Sequence, residues 1–168
     1  MKKTVNAFDY AGEICKAMPK GILLTTAAEG KVNTMTIGWG TIGIEWGKPI
    51  FVAYVRDSRY TMEMLGKNPE FTVNVPLGQV DQKILGYCGT KSGRDTDKIA
   101  DLGLTLEPGD TVSVPGIQEL PLTLECKVLY TQKQENDKLP APLVDRYYAG
   151  GDFHTAFYAE IAGAYIAE

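Results

Sequence analysis

The chain has 168 residues, 44% hydrophobic and 23% charged, a composition that predicts one soluble globular domain over residues 1–168. Its formal net charge of −4 argues against a nucleic-acid partner. No apolar run reaches the roughly 18–20 residues of a membrane span, and the first residues lack an apolar signal core. We therefore expect a cytoplasmic protein with no membrane partner.

Strand patterns dominate the chain, as short runs of apolar and β-branched residues that are either continuous or alternate with period two. The predicted strands cover residues 21–26, 32–37, 49–56, 71–75, 122–130 and 157–165. The first two flank a turn and therefore predict an N-terminal hairpin. The last two alternate over their whole length, which predicts long strands with one buried face each.

Helix patterns are few and short, and they do not lie regularly between successive strands. They cover residues 7–18, 58–67, 80–87 and 96–101, while the polar stretch 132–138 is predicted to be an exposed loop. A doubly wound parallel sheet needs a helix after nearly every strand, so this pattern argues against it. The predicted fold class is mainly β, an antiparallel barrel with peripheral helices.

The segment from Gly38 to Gly43 matches the dinucleotide fingerprint G-x-G-x-x-G. That fingerprint needs a helix to begin inside it, whereas the residues that follow are β-branched and then Gly47-Lys48-Pro49. We therefore interpret the glycines as marks of a bent or bulged strand that another backbone or a flat ligand approaches closely.

A candidate anion site lies at residues 55–63, where Ser58 is predicted to be a helix N-cap. Arg56 and Arg59 would then sit at the positive end of the helix dipole, and a bound anion would remove this mismatch. The alternative is that Arg59 pairs with Glu63 one turn on and that Arg56 pairs with a surface carboxylate. The spacing alone leaves both interpretations open.

Residues 88–98 form a second polar cluster, Cys-Gly-Thr-Lys-Ser-Gly-Arg-Asp-Thr-Asp-Lys, without the spacing of a Walker A loop. Two glycines, small hydroxyls and three basic residues could still wrap an anionic ligand. A solvated turn between two helices is the alternative.

Histidine and cysteine are too sparse for metal or nucleophilic chemistry. His154 is the single histidine, and no serine or cysteine nucleophile motif accompanies it. Cys15, Cys88 and Cys126 lie far apart and form no Cys-x-x-Cys pair. We therefore expect no metal site, and we expect Cys88 to be a small packed residue beside the cluster at 88–98.

Five segments in order, at residues 33–40, 55–61, 71–76, 88–98 and 154–161, together resemble the flavin reductase-like, FMN-binding split-barrel family, which includes flavoredoxin-type proteins. The resemblance covers most of the chain from Lys20 onward. It implies a Greek-key split barrel that forms a homodimer and holds one FMN per subunit.

The resemblance also implies which residues contact FMN. Residues 33–36 and the turn at 38–40 would flank the isoalloxazine ring, residues 56–61 would take the phosphate, and the loop at 90–98 would close over the ribityl side. The implied cofactor-binding residues are Asn33, Thr34, Met35, Thr36, Trp39, Arg56, Ser58, Arg59, Tyr60, Thr61, Cys88, Thr90, Lys91, Ser92, Asp97 and Lys98. His154 is the candidate catalytic residue, because relatives place a histidine near nicotinamide or flavin.

The function implied is a flavin reductase-type oxidoreductase that passes electrons from NAD(P)H through FMN to a second acceptor. The alternative is a non-enzymatic FMN electron carrier that docks a redox partner protein. An excess of aromatic residues over what one small core needs agrees with a homodimer. These aromatic residues are Trp39, Trp46, Phe153, Phe157 and Tyr158.

Overall fold

The computed structural model describes all 168 residues and consists mainly of antiparallel strands. The strands are β1 (Lys2–Thr4), β2 (Ile22–Ala28), β3 (Lys31–Ile37), β4 (Gly40–Glu45), β5 (Lys48–Arg56), β6 (Glu70–Val75), β7 (Leu106–Glu107), β8 (Gly116–Ile117), β9 (Leu122–Lys133) and β10 (His154–Ala167). The α-helices are α1 (Ala11–Ala17), α2 (Tyr60–Lys67), α3 (Gln82–Thr90), α4 (Lys98–Leu102) and α5 (Ala141–Tyr147). Single 3₁₀ turns cover Ala7–Tyr10, Met18–Lys20 and Asn136–Lys138.

The main sheet runs in the order β3-β2-β6-β9-β10-β5-β4, with β1 added against β10, and every pairing in it is antiparallel. Strands β3 and β4 are neighbours along the chain but lie at opposite ends of this order. The sheet curls around one core, and the Gly38-Trp39 link crosses between its two ends. This arrangement confirms the predicted antiparallel split barrel with helices outside it.

Two tight hairpins explain where the chain reverses. Between β2 and β3 the two-residue turn Glu29-Gly30 has φ angles of 53° and 77°, and between β4 and β5 the turn Trp46-Gly47 has φ angles of 54° and 69°. Positive φ at both central residues is typical of the turns that match strand twist. The first hairpin confirms the sequence prediction, and the second was not predicted as such.

The glycine motif at 38–43 belongs to strand β4 and the link before it, so no helix begins inside it. At Gly40 an added Cβ would lie 2.7 Å from Phe51 Cζ, closer than Cβ contacts in proteins, and a tight 3.1 Å from Met18 Sδ. The interpretation that other parts of the chain approach this strand closely is therefore confirmed at Gly40.

The main core fills the barrel with side chains from the paired strands and from α1. Its large fully buried members include Ile22, Leu24, Phe51, Phe71 and Leu124. Phe157, which the sequence analysis counted as excess aromatic surface, is instead buried in this core. The buried face of β10 changes at a register shift between Ile161 and Gly163, so the predicted alternation does not continue unbroken.

A second, smaller core lies under α3 and α4 on the outer face of β2. It contains Leu23, Leu85, Cys88, Ile117 and Leu120, all nearly inaccessible to solvent. This packing fixes the segment 88–98 against the barrel.

Several predicted boundaries differ from the structure. Helix α2 begins at Tyr60, α3 at Gln82 and α4 at Lys98, each later than predicted. Strand β9 continues to Lys133, two residues into the predicted loop, and α5 was not predicted. No helix is long and apolar enough to cross a membrane.

Candidate functional site

A narrow cleft follows the free edge of β3, between the start of α2 and the segment that joins α3 to α4. Its free volume is about 130 Å³. Four of its lining residues are cationic and none is acidic. Residues predicted for the site that line this cleft are Asn33, Met35, Ser58, Arg59, Tyr60, Thr61, Cys88, Lys91, Ser92 and Lys98. The structure thus brings ten of the sixteen predicted cofactor-binding residues to one place.

The start of α2 offers unused hydrogen-bond donors to this cleft. The backbone N–H groups of Tyr60 and Thr61 have no partner within the chain. Thr61 is 1% exposed, and its Oγ1 also lacks a hydrogen-bond partner. A buried hydroxyl without a partner costs free energy, so these groups indicate a site for an oxygen-rich anion.

Ser58 is not the N-cap of α2, contrary to the prediction, because Arg59 occupies that position without a side-chain cap. The Ser58 hydroxyl donates to Asp152 Oδ2 at 2.6 Å, and its N–H donates to Asp152 Oδ1 at 2.9 Å. Burial alone would raise the pKa of Asp152, but the hydrogen bonds from Ser58 and the nearby positive charge of Arg56 lower it. Ser58 therefore holds the segment before β10 in place.

Arg56 and Arg59 have different surroundings, and neither makes the carboxylate pair considered for it. Arg56 donates to the carbonyl oxygens of Asp152 at 2.7 Å and Tyr147 at 3.2 Å. Arg59 forms no hydrogen bond or ion pair with its side chain, because Glu63 is bound by another arginine. Arg59 is thus the guanidinium available to a ligand.

Arg94 is the functional candidate that the sequence analysis left out of the site. Its guanidinium binds the Glu63 carboxylate and donates to the Ser58 carbonyl at 3.0 Å. It also lies over the Tyr60 ring at 5.6 Å. Arg94 therefore fastens the segment 88–98 to α2, and its place in the basic cluster was the only signal in the sequence.

Lys98 is buried, 4% exposed, and donates to the carbonyl oxygens of Thr34 at 2.9 Å and Cys88 at 3.0 Å. Burial lowers its pKa, and the charge of Arg59 adds to this. Burial also raises the pKa of the Cys88 thiol to about 11, so Cys88 is a neutral thiol at physiological pH. Both residues connect the edge of β3 to the helices beside it.

Gly93 allows the loop to approach β3 and α2 closely. A Cβ at this position would overlap the Asn33 side chain and would lie 2.7 Å from Tyr60 Cδ1. Only glycine fits there, so the loop forms one wall of the cleft.

Four predicted site residues direct their side chains to structural hydrogen bonds. The Thr34 hydroxyl contacts the Leu24 carbonyl, Thr36 donates to the Leu85 carbonyl, and Thr90 donates to the Gly86 carbonyl. The fourth, Asp97, caps α4 by accepting from the Ala100 N–H. None of the four lines the cleft.

The last two predicted cofactor-binding residues, Trp39 and Arg56, lie with His154 around a second space of about 180 Å³. Met35 and Arg59 line both this space and the cleft, so the two spaces are adjacent along β3.

Beyond Trp39 the site opens into an aromatic cavity of about 520 Å³. Tyr54, Tyr148 and His154 line it with Trp39, and none of its lining residues is Asp, Glu, Lys or Arg. The Trp39 ring centroid lies 5.0 Å from the centroid of His154. Burial, with the charge of Arg56, lowers the pKa of His154 to about 4, so this histidine is neutral near pH 7.

Comparison with known proteins gives the same family as the motifs. The model of the flavin reductase like domain matches residues 15–168. A curated protein of Archaeoglobus fulgidus is 32% identical over 127 residues, covering 76% of this chain and 67% of that protein.

Solved structures of similar fold include two flavoredoxins. That of Desulfovibrio vulgaris (Miyazaki F) has a TM-score of 0.68 and 25% identity, covering 88% of this chain and 69% of its own. The flavoredoxin of Methanosarcina acetivorans has a TM-score of 0.66 and 29% identity, covering 88% of this chain and 68% of its own. With the family model spanning nearly the whole sequence, this chain belongs to the flavin reductase-like family.

Proposed function

We propose that this chain binds FMN and acts as a flavin reductase-type oxidoreductase, with NAD(P)H as electron donor and a second molecule as acceptor. When bound, FMN would supply the hydride and electron chemistry. The residues of the cleft would hold the phosphate, and those around Trp39 would hold the ring system.

One observation carries the assignment of the phosphate end. Thr61 Oγ1 is buried without a partner, beside two free N–H groups at the start of α2 and the unpaired guanidinium of Arg59. A phosphate monoester supplies several acceptor oxygens at once and so satisfies all of these donors. A neutral ligand would leave the arginine without a partner.

The ring end fits a flat, partly apolar group. Met35 lines both the cleft and the space that Trp39 and His154 line, so one ligand could contact both spaces. Trp39 is 42% exposed in this space. An exposed tryptophan ring gains stability when another planar ring covers it.

The aromatic cavity favours an enzyme over a pure electron carrier. A carrier needs only an exposed flavin edge for its protein partner, whereas a hydride donor must stack within near-attack distance of the flavin. A cavity of about 520 Å³ next to Trp39 and His154 has the volume for such a second ring. A non-enzymatic electron carrier is the second candidate function, because two of the structures of similar fold are flavoredoxins.

Anaerobic mixing with NADH and with NADPH tests the proposal. The FMN-loaded protein is followed by its flavin absorbance in a stopped-flow instrument, with free FMN as the control. We expect bleaching within seconds with at least one nucleotide and far more slowly with free FMN. Bleaching no faster than that of free FMN would reject the enzyme and favour the carrier.

We also propose that the protein is a homodimer. The rings of Trp46, Tyr130 and Tyr158 contact one another on the outer face of the sheet, with centroids 5.4–6.3 Å apart. Trp46 is 53% exposed and Tyr130 46% exposed. A second copy that covers this aromatic patch under two-fold symmetry would remove its apolar surface from water.

A further inference from the structure

Tyr148 and His154 form a buried pair at the wall of the aromatic cavity, with 2.7 Å between Tyr148 Oη and His154 Nδ1. We propose that Tyr148 is a positioning residue that fixes His154 as the neutral Nε2–H tautomer, so that Nε2–H donates a hydrogen bond to a ligand in this cavity. The ligand's redox role rests on the proposed function, but the tautomer does not.

The direction of the hydrogen bond follows from the partners available to the phenol. Tyr148 is 8% exposed, and its Oη contacts no acceptor within the chain other than His154 Nδ1. A buried O–H group that fails to donate loses its hydrogen bond to water without replacement. The phenol therefore donates and Nδ1 accepts, which leaves Nε2 to carry the proton of a neutral imidazole.

The charges around the imidazole keep it neutral. Burial lowers the pKa of His154 most and the positive charge of Arg56 comes next, while Asp152 and Asp57 raise it less and Arg59 adds the smallest lowering. The Arg56 guanidinium also lies 5.2 Å from the centre of the Tyr148 ring. A second proton on Nδ1 would abolish the acceptor that the phenol requires, so the geometry and the charges act in the same direction.

The free nitrogen is the one that a ligand can reach. His154 Nε2 has no partner within the chain, and the imidazole lines both the aromatic cavity and the space beside Met35. The cavity lining holds no charged side chain. Of these two spaces, Arg56 and Arg59 line only the one beside Met35. On the side of the aromatic cavity, a neutral donor therefore suits an uncharged acceptor, such as the carbonyl oxygen of a planar carboxamide or ketone, rather than a carboxylate.

Nuclear magnetic resonance of histidine nitrogens tests the tautomer directly, because the chain contains one histidine and the spectrum therefore has no overlap. With ¹⁵N-histidine in the FMN-loaded protein and in the protein without flavin, we expect the pattern of a neutral Nε2–H imidazole at pH 7. In Tyr148→Phe we expect a mixture of tautomers and a His154 pKa higher by about half to one unit, since one neutral hydrogen bond is lost.

The matched control is Tyr147→Phe, because the Tyr147 hydroxyl makes no hydrogen bond within the chain while its ring contacts Trp39. This variant should keep the parent spectrum. An Nδ1–H pattern in the parent, or a Tyr148→Phe spectrum identical to that of the parent, would overturn the proposal.

Kinetics then separates positioning from simple structural support. Tyr148→Phe should lower the rate constant of flavin reduction about 3- to 10-fold, the value of one hydrogen bond, with the dissociation constant of FMN unchanged. His154→Gln, which keeps an N–H donor, should retain more activity than His154→Ala. Equal rates for parent and Tyr148→Phe would refute the positioning role. If NAD(P)H reduced FMN in neither the parent nor any variant, the proposed function would be rejected. The tautomer would still stand, because nuclear magnetic resonance measures it independently.

Discussion

Arg59 should decide whether the cleft selects a phosphate. Its guanidinium has no partner in the chain and lines both the narrow cleft and the space beside Trp39. A charge-assisted hydrogen bond contributes about 1.5–3 kcal/mol, and we take the lower end because Arg59 is solvent-exposed. Arg59→Ala should therefore weaken FMN binding about 10-fold.

Riboflavin lacks the phosphate, so its affinity should change less than twofold in Arg59→Ala. Fluorescence quenching titrations of both flavins, at low and high salt, measure the difference. Lys67→Ala is the matched control, because it removes one positive charge from the far end of the same helix, where Lys67 pairs with Glu29. Equal losses for FMN and riboflavin in Arg59→Ala would refute the phosphate assignment.

Arg56→Ala should behave differently from Arg59→Ala. Arg56 donates to the carbonyl oxygens of Asp152 and Tyr147, so its loss should loosen the segment before β10. We expect both flavins to bind more weakly, by similar factors, in the same titrations. A loss confined to FMN would instead place Arg56 on the phosphate, as the family resemblance implies.

Four further predictions test other parts of the account. Thr61→Val removes an unpartnered buried hydroxyl, so the unfolding temperature of the protein without flavin should be unchanged or higher. Its affinity for FMN should fall about fivefold. The pKa of His154 is lowered from 6.5 to about 4, so protonation of the unfolded chain should cost the parent up to about 3 kcal/mol of stability as pH falls through this window. His154→Gln should not show this loss when the free energy of urea unfolding is compared between pH 7 and pH 4.5. An equal loss in parent and variant would contradict the prediction. If the protein is the proposed homodimer, Trp46→Lys should sediment as a monomer of 18.4 kDa, and a monomeric parent would refute the dimer. Cys88→Ala should show flavin reduction within a few-fold of the parent rate, because a thiol with a pKa of about 11 is protonated at pH 7 and reacts poorly. Loss of flavin reduction with FMN still bound would contradict this.

Local patterns predicted much of the fold. The β2–β3 hairpin follows from β-branched runs on either side of Glu29-Gly30, a turn that two positive φ angles make compatible with strand twist. The candidate anion-binding groups at the start of α2, two backbone N–H groups and the Thr61 hydroxyl, are contiguous in the sequence, so their common position could also be predicted.

Long-range partners could not be read from spacing. Ser58 resembles an N-cap, but Asp152, 94 residues away, takes both its N–H and its hydroxyl. Arg59 and Glu63 have the spacing of a helical pair, yet Arg94 binds Glu63 across the cleft. Tertiary contacts override local preferences in each of these cases.

Helix α5 and Tyr148 were missed for a local reason. Pro140 and Pro142 look like loop residues, although proline suits the first turn of a helix, where its missing N–H is not needed. This helix places the Tyr147 carbonyl on Arg56 and leads into Tyr148 beside His154. Neither α5 nor the contact between Tyr148 and His154 could therefore be predicted from the sequence.

A crystal structure of the protein with bound FMN tests the central claim most directly. The account predicts the phosphate at the start of α2, within hydrogen-bond distance of Thr61 Oγ1 and the Arg59 guanidinium, with the flavin ring between Met35 and Trp39. A phosphate found elsewhere, with Thr61 Oγ1 still without a partner, would contradict it.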